Sequence, residues 1–350
     1  MIDKEIIPHS RPFITESDLN AVTAAVKSGQ LSQGPEVEKF ERTLAEFIGQ
    51  KEAAATSSGT SALHLALLAL DIKEKDEVII PSFVCSAVLN AVNYTSGTPI
   101  IVDIEPLTYN ISVEAIKKAL TKKTKAIIVP HMFGCPAEMD KLSELDIPVI
   151  EDCAQAIGAT FKGQKVGSFG LLSVFSFYTT KVMACGEGGM VLSDAEDLIL
   201  KIKDLRGYDN KDNYHLRYNY KMTDIQASLG LSQLFSLENF IARRKEIAAL
   251  YFDEFKDCDF SLPVWKEEKE HIYYRFVIKA KGNVSGYLEK FQQKGIMCQR
   301  PVYKPLHLYL NLSGFPNSTE AWQKTISVPL YPSLKEEEIE KIVTIVKNIF

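Results

Sequence analysis

Lys181 follows a strand-like run, Ser173-Val174-Phe175-Ser176-Phe177, and precedes a glycine-rich turn, Gly186-Glu187-Gly188-Gly189. An amine so placed can hold an aldehyde carbon as a Schiff base. Upstream, the apolar run Ile147 to Ile150, interrupted by Pro148, ends in Glu151-Asp152, which puts carboxylates at the exit of a buried strand. A strand-end Asp can pair with a pyridinium nitrogen and keep it protonated, so that the ring acts as an electron sink. The glycines permit positive φ and close approach to a ligand. Strand-end Asp152, strand-end Ser176, Lys181 and the glycine turn together point to pyridoxal phosphate (PLP) chemistry. Each piece alone has a plainer reading: Asp152 as a helix N-cap, Lys181 as a solvated surface residue, the glycines as a simple turn. Their order and spacing set the combination apart.

A phosphate needs its own seat. The stretch Ala53-Ala54-Ala55-Thr56-Ser57-Ser58-Gly59-Thr60-Ser61 leads into a helical pattern from Ala62 to Leu70. Small hydroxyl residues and a glycine at a helix start offer free backbone N–H groups and the positive end of the macrodipole, an anion site by construction. Ordinary capping would use the same residues. Beside the Lys181 cluster, Gly59 and Thr60 are assigned to the phosphate.

At this point the chain resembles a known family, the fold-type-I sugar aminotransferases of the DegT/StrS type. The resemblance rests on Glu151-Asp152-Cys153-Ala154-Gln155-Ala156-Ile157-Gly158-Ala159, Gly167-Ser168-Phe169-Gly170, Phe175-Ser176-Phe177-Tyr178-Thr179-Thr180-Lys181 and Gly186 to Gly189. It extends to the SGQLSQGPEV segment, the His131-Met132-Phe133-Gly134 turn, Tyr218-Asn219-Tyr220-Lys221-Met222-Thr223-Asp224, and the loop Arg300-Pro301-Val302-Tyr303-Lys304-Pro305-Leu306-His307. It implies catalysis by Lys181 and Asp152. Gln155 would meet the cofactor's phenolic oxygen, and Ser176, Gly59 and Thr60 its phosphate. Asn219 would reach the phosphate of the other subunit of a homodimer with shared active sites. Arg300, Tyr303 and His307 would lie beside the substrate, a keto-sugar aminated by an amino acid, with glutamate expected as donor and pyridoxamine phosphate as the intermediate carrier.

By the same resemblance the sugar is expected to be a nucleotide-linked keto-deoxysugar destined for lipopolysaccharide or another surface polysaccharide. A keto-sugar acid without a nucleotide is the alternative substrate. Two other readings use the same scaffold: a PLP-dependent sugar dehydratase, which would carry His at the Lys181 position, and a regulatory paralogue, which would lose Asp152 or Lys181. Many relatives place an aromatic residue over the cofactor ring where this chain has Cys85. The ring face is therefore expected to be packed differently or covered by a neighbour such as Phe83, with Cys85 a small buried hydrophobe and Ala154 on the opposite face. His131 is read as a structural histidine.

Among the 350 residues, 46% are hydrophobic and the net charge is −5, which suits a large α/β domain with an appendage and offers nothing to nucleic acid. No apolar stretch approaches the roughly 20 residues of a membrane helix. The N-terminus MIDKEIIPHSRPF lacks a basic start and apolar core, so a cytoplasmic protein is expected. Its six cysteines have no CxxC spacing, so reduced thiols and no metal are expected.

The elements that must position these residues follow from periodicity. Apolar runs Glu77–Pro81, Pro99–Ile104 and Lys125–Pro130 read as strands alternating with helices at Ser17–Ser28, Glu36–Ile48, to Tyr94, Val113–Leu120 and Ala137–Leu145. That alternation predicts a three-layer α/β domain with a mostly parallel sheet, whose ligands lie beyond the strands' carboxyl ends. Ser82, Asp103, His131, Asp152 and Ser176 stand at such ends. A helix Ile225–Leu237, capped by Thr223 or Asp224, closes the large PLP-binding domain, residues 1–237. An amphipathic helix Glu238–Lys256, a strand His271–Ala280 and helices Ser285–Lys294 and Glu336–Phe350 form a smaller α+β domain, residues 238–350.

Overall fold

The computed structural model describes residues 6–350. Along the first half of the chain lie α1 (Glu16–Ser28), α2 (Pro35–Ile48), β1 (Glu52–Thr56), α3 (Gly59–Ala69), β2 (Glu77–Pro81), α4 (Ser86–Tyr94) and β3 (Thr98–Val102). Then come α5 (Val113–Ala119), β4 (Thr124–Pro130), α6 (Met139–Ser143), β5 (Val149–Asp152), the short pair β6 (Thr160–Phe161) and β7 (Gln164–Lys165), β8 (Leu172–Ser176) and β9 (Gly189–Ser193). They build a seven-stranded sheet in the order β1-β9-β8-β5-β4-β2-β3. Strands β8, β5, β4, β2 and β3 run parallel, whereas β9 is antiparallel to both its neighbours.

Successive strand residues face opposite sides, and the burial follows that rule. Ala54, Val78, Ile80, Ala126, Ile128, Ile150, Leu172, Val174 and Val191 pack with α3, α4 and α7 (Glu196–Leu205). On the other face Ala53, Ala55, Phe175, Met190 and Leu192 pack with α2 and α8 (Asp224–Phe235), while Ile79, Ile127, Val129 and Val149 pack with α5 and α6. This is the expected three-layer α/β arrangement.

The helix starts obey their capping residues. Thr15 with Asp18, Ser58 with Ser61 and Thr223 with Gln226 each form a reciprocal capping box. Asp224, in the first turn of α8, also accepts from the N–H groups of Gly34 (2.8 Å) and Val37 (3.1 Å), so one carboxylate ties the start of α2 to α8.

The remaining elements are α9 (Leu237–Phe255), β10 (Phe260–Ser261), β11 (Lys269–Glu270), β12 (Phe276–Ala280), α10 (Ser285–Gln293), α11 (Leu306–Tyr309), α12 (Pro316–Lys324), β13 (Thr325–Val328) and α13 (Glu336–Ile349). Antiparallel β10, β12 and β13 carry a second core made with α9, α10 and α13. Ile7 joins it, bonded to Gly295 and Met297.

Three elements differ from expectation. The strand expected over His271–Ala280 is formed only from Phe276. Tyr273 sits at φ 52°, and Arg244 of α9 donates to the carbonyls of Tyr273 and Tyr274, so these groups leave the ladder. The helix expected over Ala137–Leu145 is a single turn, Met139–Ser143. Strand β9, for which the sequence offered no element beyond the glycine turn, stands between β1 and β8 in the sheet. No helix among the described residues is long and apolar enough to cross a membrane.

Candidate active site

Strand alternation sends the two carboxylates of β5 to opposite faces of the sheet. Glu151 is fully buried and accepts from Phe169 N and Gly170 N (both 2.7 Å), from Gly167 N (2.8 Å) and from His131 Nε2 (2.9 Å). The Gly167-Ser168-Phe169-Gly170 turn is thus the seat of a carboxylate. His131 Nδ1 accepts from Ala137 N at 3.0 Å, which leaves its proton on Nε2 for Glu151. Cys153 lies within reach of the pair, but both atoms of the imidazole and both oxygens of Glu151 are already committed, and burial holds the Cys153 thiol well above its ordinary range. His131 and Glu151 form a hydrogen-bonded pair, with the Cys153 thiol packed beside it.

Asp152 faces the other way, into a cleft of about 220 Å³ beyond the carboxyl ends of the parallel strands. Ser58, Gly59, Thr60, Cys85, Asp152, Ala154, Ser176, Tyr178, Lys181 and Glu187 line it, with Leu63, Ala87, Val88 and Val174 as its apolar floor. Asp152 Oδ1 accepts from Ala154 N at 3.0 Å. Burial raises its pKa, opposed by the Ala154 N–H, by Lys181 and by His131.

Lys181 sits in the loop between β8 and β9. That loop is pinned by Phe177 N to Gly188 O (2.9 Å), Thr179 N to Gly186 O (3.1 Å) and Lys181 N to Tyr178 O (2.8 Å). The loop lands on α3 because Gly189 has no side chain: a Cβ there would lie 2.3 Å from the Ser58 carbonyl oxygen. Helix α3 begins at Gly59, earlier than the sequence suggested, so Gly59 and Thr60 occupy its first turn. Ser61 N and Ala62 N bond to Ser58, whereas Gly59 N and Thr60 N find no acceptor among the described residues. With the unpartnered hydroxyl of Ser176 beside them, these groups form a cradle for an anion. A Cβ on Gly59 would come within 2.8 Å of Ser176 Cβ.

Gln155 is half-buried and is not among the residues lining the cleft; its Oε1 accepts from Phe133 N at 2.9 Å, which leaves Nε2 as its donor. Phe83 is fully buried against Tyr109 and Phe133, so it does not cover the cleft; Cys85 itself is open to it, correcting the expectation of a buried thiol. Cys85 and Ala154 both line the cleft.

The structure does not bring every sequence candidate here. Asn219 is exposed and lies outside the cleft, on a segment anchored by Ser57 N to Tyr220 O (2.7 Å). Arg300 is turned away, its guanidinium stacked 4.6 Å over Trp322 and bonded to Ser285 and the Trp322 carbonyl. Tyr303 is exposed. His307 is buried, with Nδ1 2.6 Å from Ser82 Oγ and Nε2 3.0 Å from Thr319 Oγ1, so it clamps its loop to the end of β2. Sequence reasoning missed Glu187 and Tyr178 as lining residues and Tyr274, whose ring centroid is 5.4 Å from Lys181 Nζ. Nothing in the residue types of the His271–Arg275 run marks it as a neighbour of Lys181.

A lysine and a strand-end carboxylate in one cleft, with an anion cradle at a helix start, on a mostly parallel three-layer sheet, define a fold-type-I PLP-dependent transferase. The chain belongs to the DegT/DnrJ/EryC1/StrS aminotransferase family, whose signature spans residues 12–347. It is 36% identical to GDP-perosamine synthase of Escherichia coli O157:H7, covering 95% of each chain. It is 32% identical to the spore coat polysaccharide biosynthesis protein SpsC of Bacillus subtilis, covering 98% of this chain and 97% of that one. Among solved structures it superposes on Spr1654 from Streptococcus pneumoniae in its PMP form with a TM-score of 0.94 at 27% identity, covering 98% and 97% of the chains. The PLP form of that protein gives a TM-score of 0.93. Helicobacter pylori PseC, an aminotransferase involved in the biosynthesis of pseudoaminic acid, gives 0.91 at 27% identity over 99% of each chain. The protein is an enzyme, a PLP-dependent aminotransferase of the sugar-aminotransferase family anticipated from its motifs.

Proposed function

We propose that the enzyme moves the amino group of glutamate to the carbonyl of a nucleotide-linked keto-deoxysugar, in the biosynthesis of an amino sugar for a surface polysaccharide. The observation that carries the chemistry is Lys181 in one cleft with Asp152 and the Gly59–Thr60 cradle. The nucleotide-linked acceptor is supported by similarity to the GDP-perosamine synthases of Escherichia coli O157:H7 and Vibrio cholerae. Unpaired thiols at all six cysteines agree with a cytoplasmic site of action.

When bound, PLP supplies an aldehyde carbon that carries the amino group and a ring that takes up the electron pair left by a broken C–H bond. Asp152 Oδ atoms hold the ring nitrogen's proton through a charge-assisted hydrogen bond. Gly59 N, Thr60 and Ser176 Oγ bind the phosphate, and the partner subunit's Asn219 completes that seat in a homodimer. Gln155 Nε2 donates to the phenolic oxygen. Lys181 Nζ would take the proton from the donor's Cα. Ala154 and Cys85 line the cleft and would flank the ring.

A dehydratase is disfavoured by Lys at position 181, and a regulatory role by the joint presence of Asp152 and Lys181. The test is an amino-transfer assay with glutamate and PLP against a GDP-linked keto-deoxysugar and an unlinked keto-sugar acid. Faster turnover of the linked sugar supports the proposal. Equal or faster turnover of the unlinked acid rejects the nucleotide.

A further inference from the structure

The His271–Arg275 segment leaves the second sheet and passes beside the cleft, where it delivers one side chain that the reaction described above does not use. Tyr274 is buried, with its ring centroid 5.4 Å from Lys181 Nζ, inside the range of a cation–π contact. Its hydroxyl lies 3.5 Å from Thr180 Oγ1, on the residue before the lysine, and accepts from Arg275 Nη2 at 3.4 Å. The main chain that carries the ring is fixed independently of these contacts. Arg244 donates to the carbonyls of Tyr273 and Tyr274 (both 3.3 Å) and of Leu330 (2.9 Å). Arg275 is held in turn by His9, 2.7 Å from its Nη1.

We propose that Tyr274 is a positioning residue for the amino-transfer reaction: its ring face docks the Lys181 ammonium whenever that lysine is not bonded to the cofactor. The inference rests on the assignment of Lys181 made above. A lysine that must alternate between a bonded and a released state needs a defined place to go. An aromatic face gives one without a carboxylate, which would hold the amine permanently as a cation.

The electrostatics of the ring agree with this. Three cations face Tyr274: Lys181 from the β8–β9 loop, its neighbour Arg275, and Arg244 from α9. Burial by itself raises the phenol's pKa. Lys181 first, then Arg275, the Thr180 hydroxyl and Arg244 outweigh it and bring the value down to about 8. By reciprocity, loss of the lysine's charge must return the proton to the phenol at higher pH.

The test uses two readouts. In the cofactor-free protein, tyrosinate absorbance is followed against pH. One phenol titrating near pH 8 is expected, absent in Tyr274→Phe and displaced upward in Lys181→Met. A step that survives in Tyr274→Phe, or that stays in place in Lys181→Met, overturns the proposal. In the PLP-loaded enzyme, Tyr274→Leu should slow the glutamate half-reaction about tenfold, the scale of a partly desolvated cation–π contact, with cofactor affinity unchanged. Tyr274→Phe, which keeps the ring, should recover most of that loss. An undiminished rate in Tyr274→Leu also overturns it. Failure of the wild-type protein to bind PLP would instead strike the assignment of Lys181, and the tyrosinate titration reads the Lys181–Tyr274 contact without it.

Discussion

Glu151 and Asp152 are adjacent carboxylates with opposite duties, and the pleat of β5 divides them. Glu151 is saturated by three backbone N–H donors and His131, so Glu151→Gln turns an acceptor into an amide whose NH₂ meets donors. A loss of about 3 kcal/mol in folding stability is expected, the cost of stranding charged-group hydrogen bonds in a dry site. Urea unfolding measures it, and a loss below about 1 kcal/mol would mean the network relaxes. Asp152→Asn should leave stability nearly intact while slowing the glutamate half-reaction by on the order of 10²-fold, because a neutral amide cannot hold the ring proton. Gly59→Ala places a methyl against Ser176 Cβ. That overpacking, roughly 1–3 kcal/mol, should appear as about tenfold weaker PLP binding in equilibrium dialysis. Cys85 is open to the cleft, where its residue type suggested a small buried hydrophobe.

At the scale of elements, the parallel strands β2, β3, β4 and β5 were legible because apolar runs rich in Val and Ile end in polar residues, and β8 as the strand-like run before Lys181. The helices of the large body were legible through their 3.6 period. Strand β9 was not, since GMVLS begins in a glycine turn and its pairing is set by β1 and β8 on either side. The His271–Arg275 segment misled for a physical reason. Its β-branched and aromatic residues favour a strand, but a buried arginine on α9 captures its carbonyls. The same segment makes a prediction about acid. His271 is buried, and burial lowers its pKa from 6.5 to about 3. Between those values the unfolded chain binds a proton that the folded chain refuses, so stability falls as pH drops through that window. Thermal melts of His271→Asn should show a shallower decline from pH 6.5 towards 3 than wild type. Part of the slope should remain, because His9 is also lowered by burial and by Arg275.

For the whole molecule, we propose that the chain divides between residues 237 and 238, with the Ile7 strap joining the second body. One core sandwiches the seven-stranded sheet and takes in Phe240, Ile241 and Val277 from beyond the boundary, and the other surrounds β10, β12 and β13. Asn219 lies outside its own cleft, so the proposed phosphate contact would have to come from the other subunit of a dimer. Two inactive variants, Lys181→Ala and Asn219→Ala, should therefore regain activity when unfolded and refolded together. Each hybrid dimer would own one intact site, and no recovery would argue against sites shared between subunits. The measurement that tests the central claim most directly is the absorbance spectrum of the PLP-loaded protein before and after glutamate, beside Lys181→Ala. A band of lysine-bound cofactor that glutamate converts to the pyridoxamine phosphate form is expected, with no such conversion in the variant. A wild-type protein that shows no cofactor band after PLP is added, or a Lys181→Ala protein that converts as fast as wild type, would contradict it.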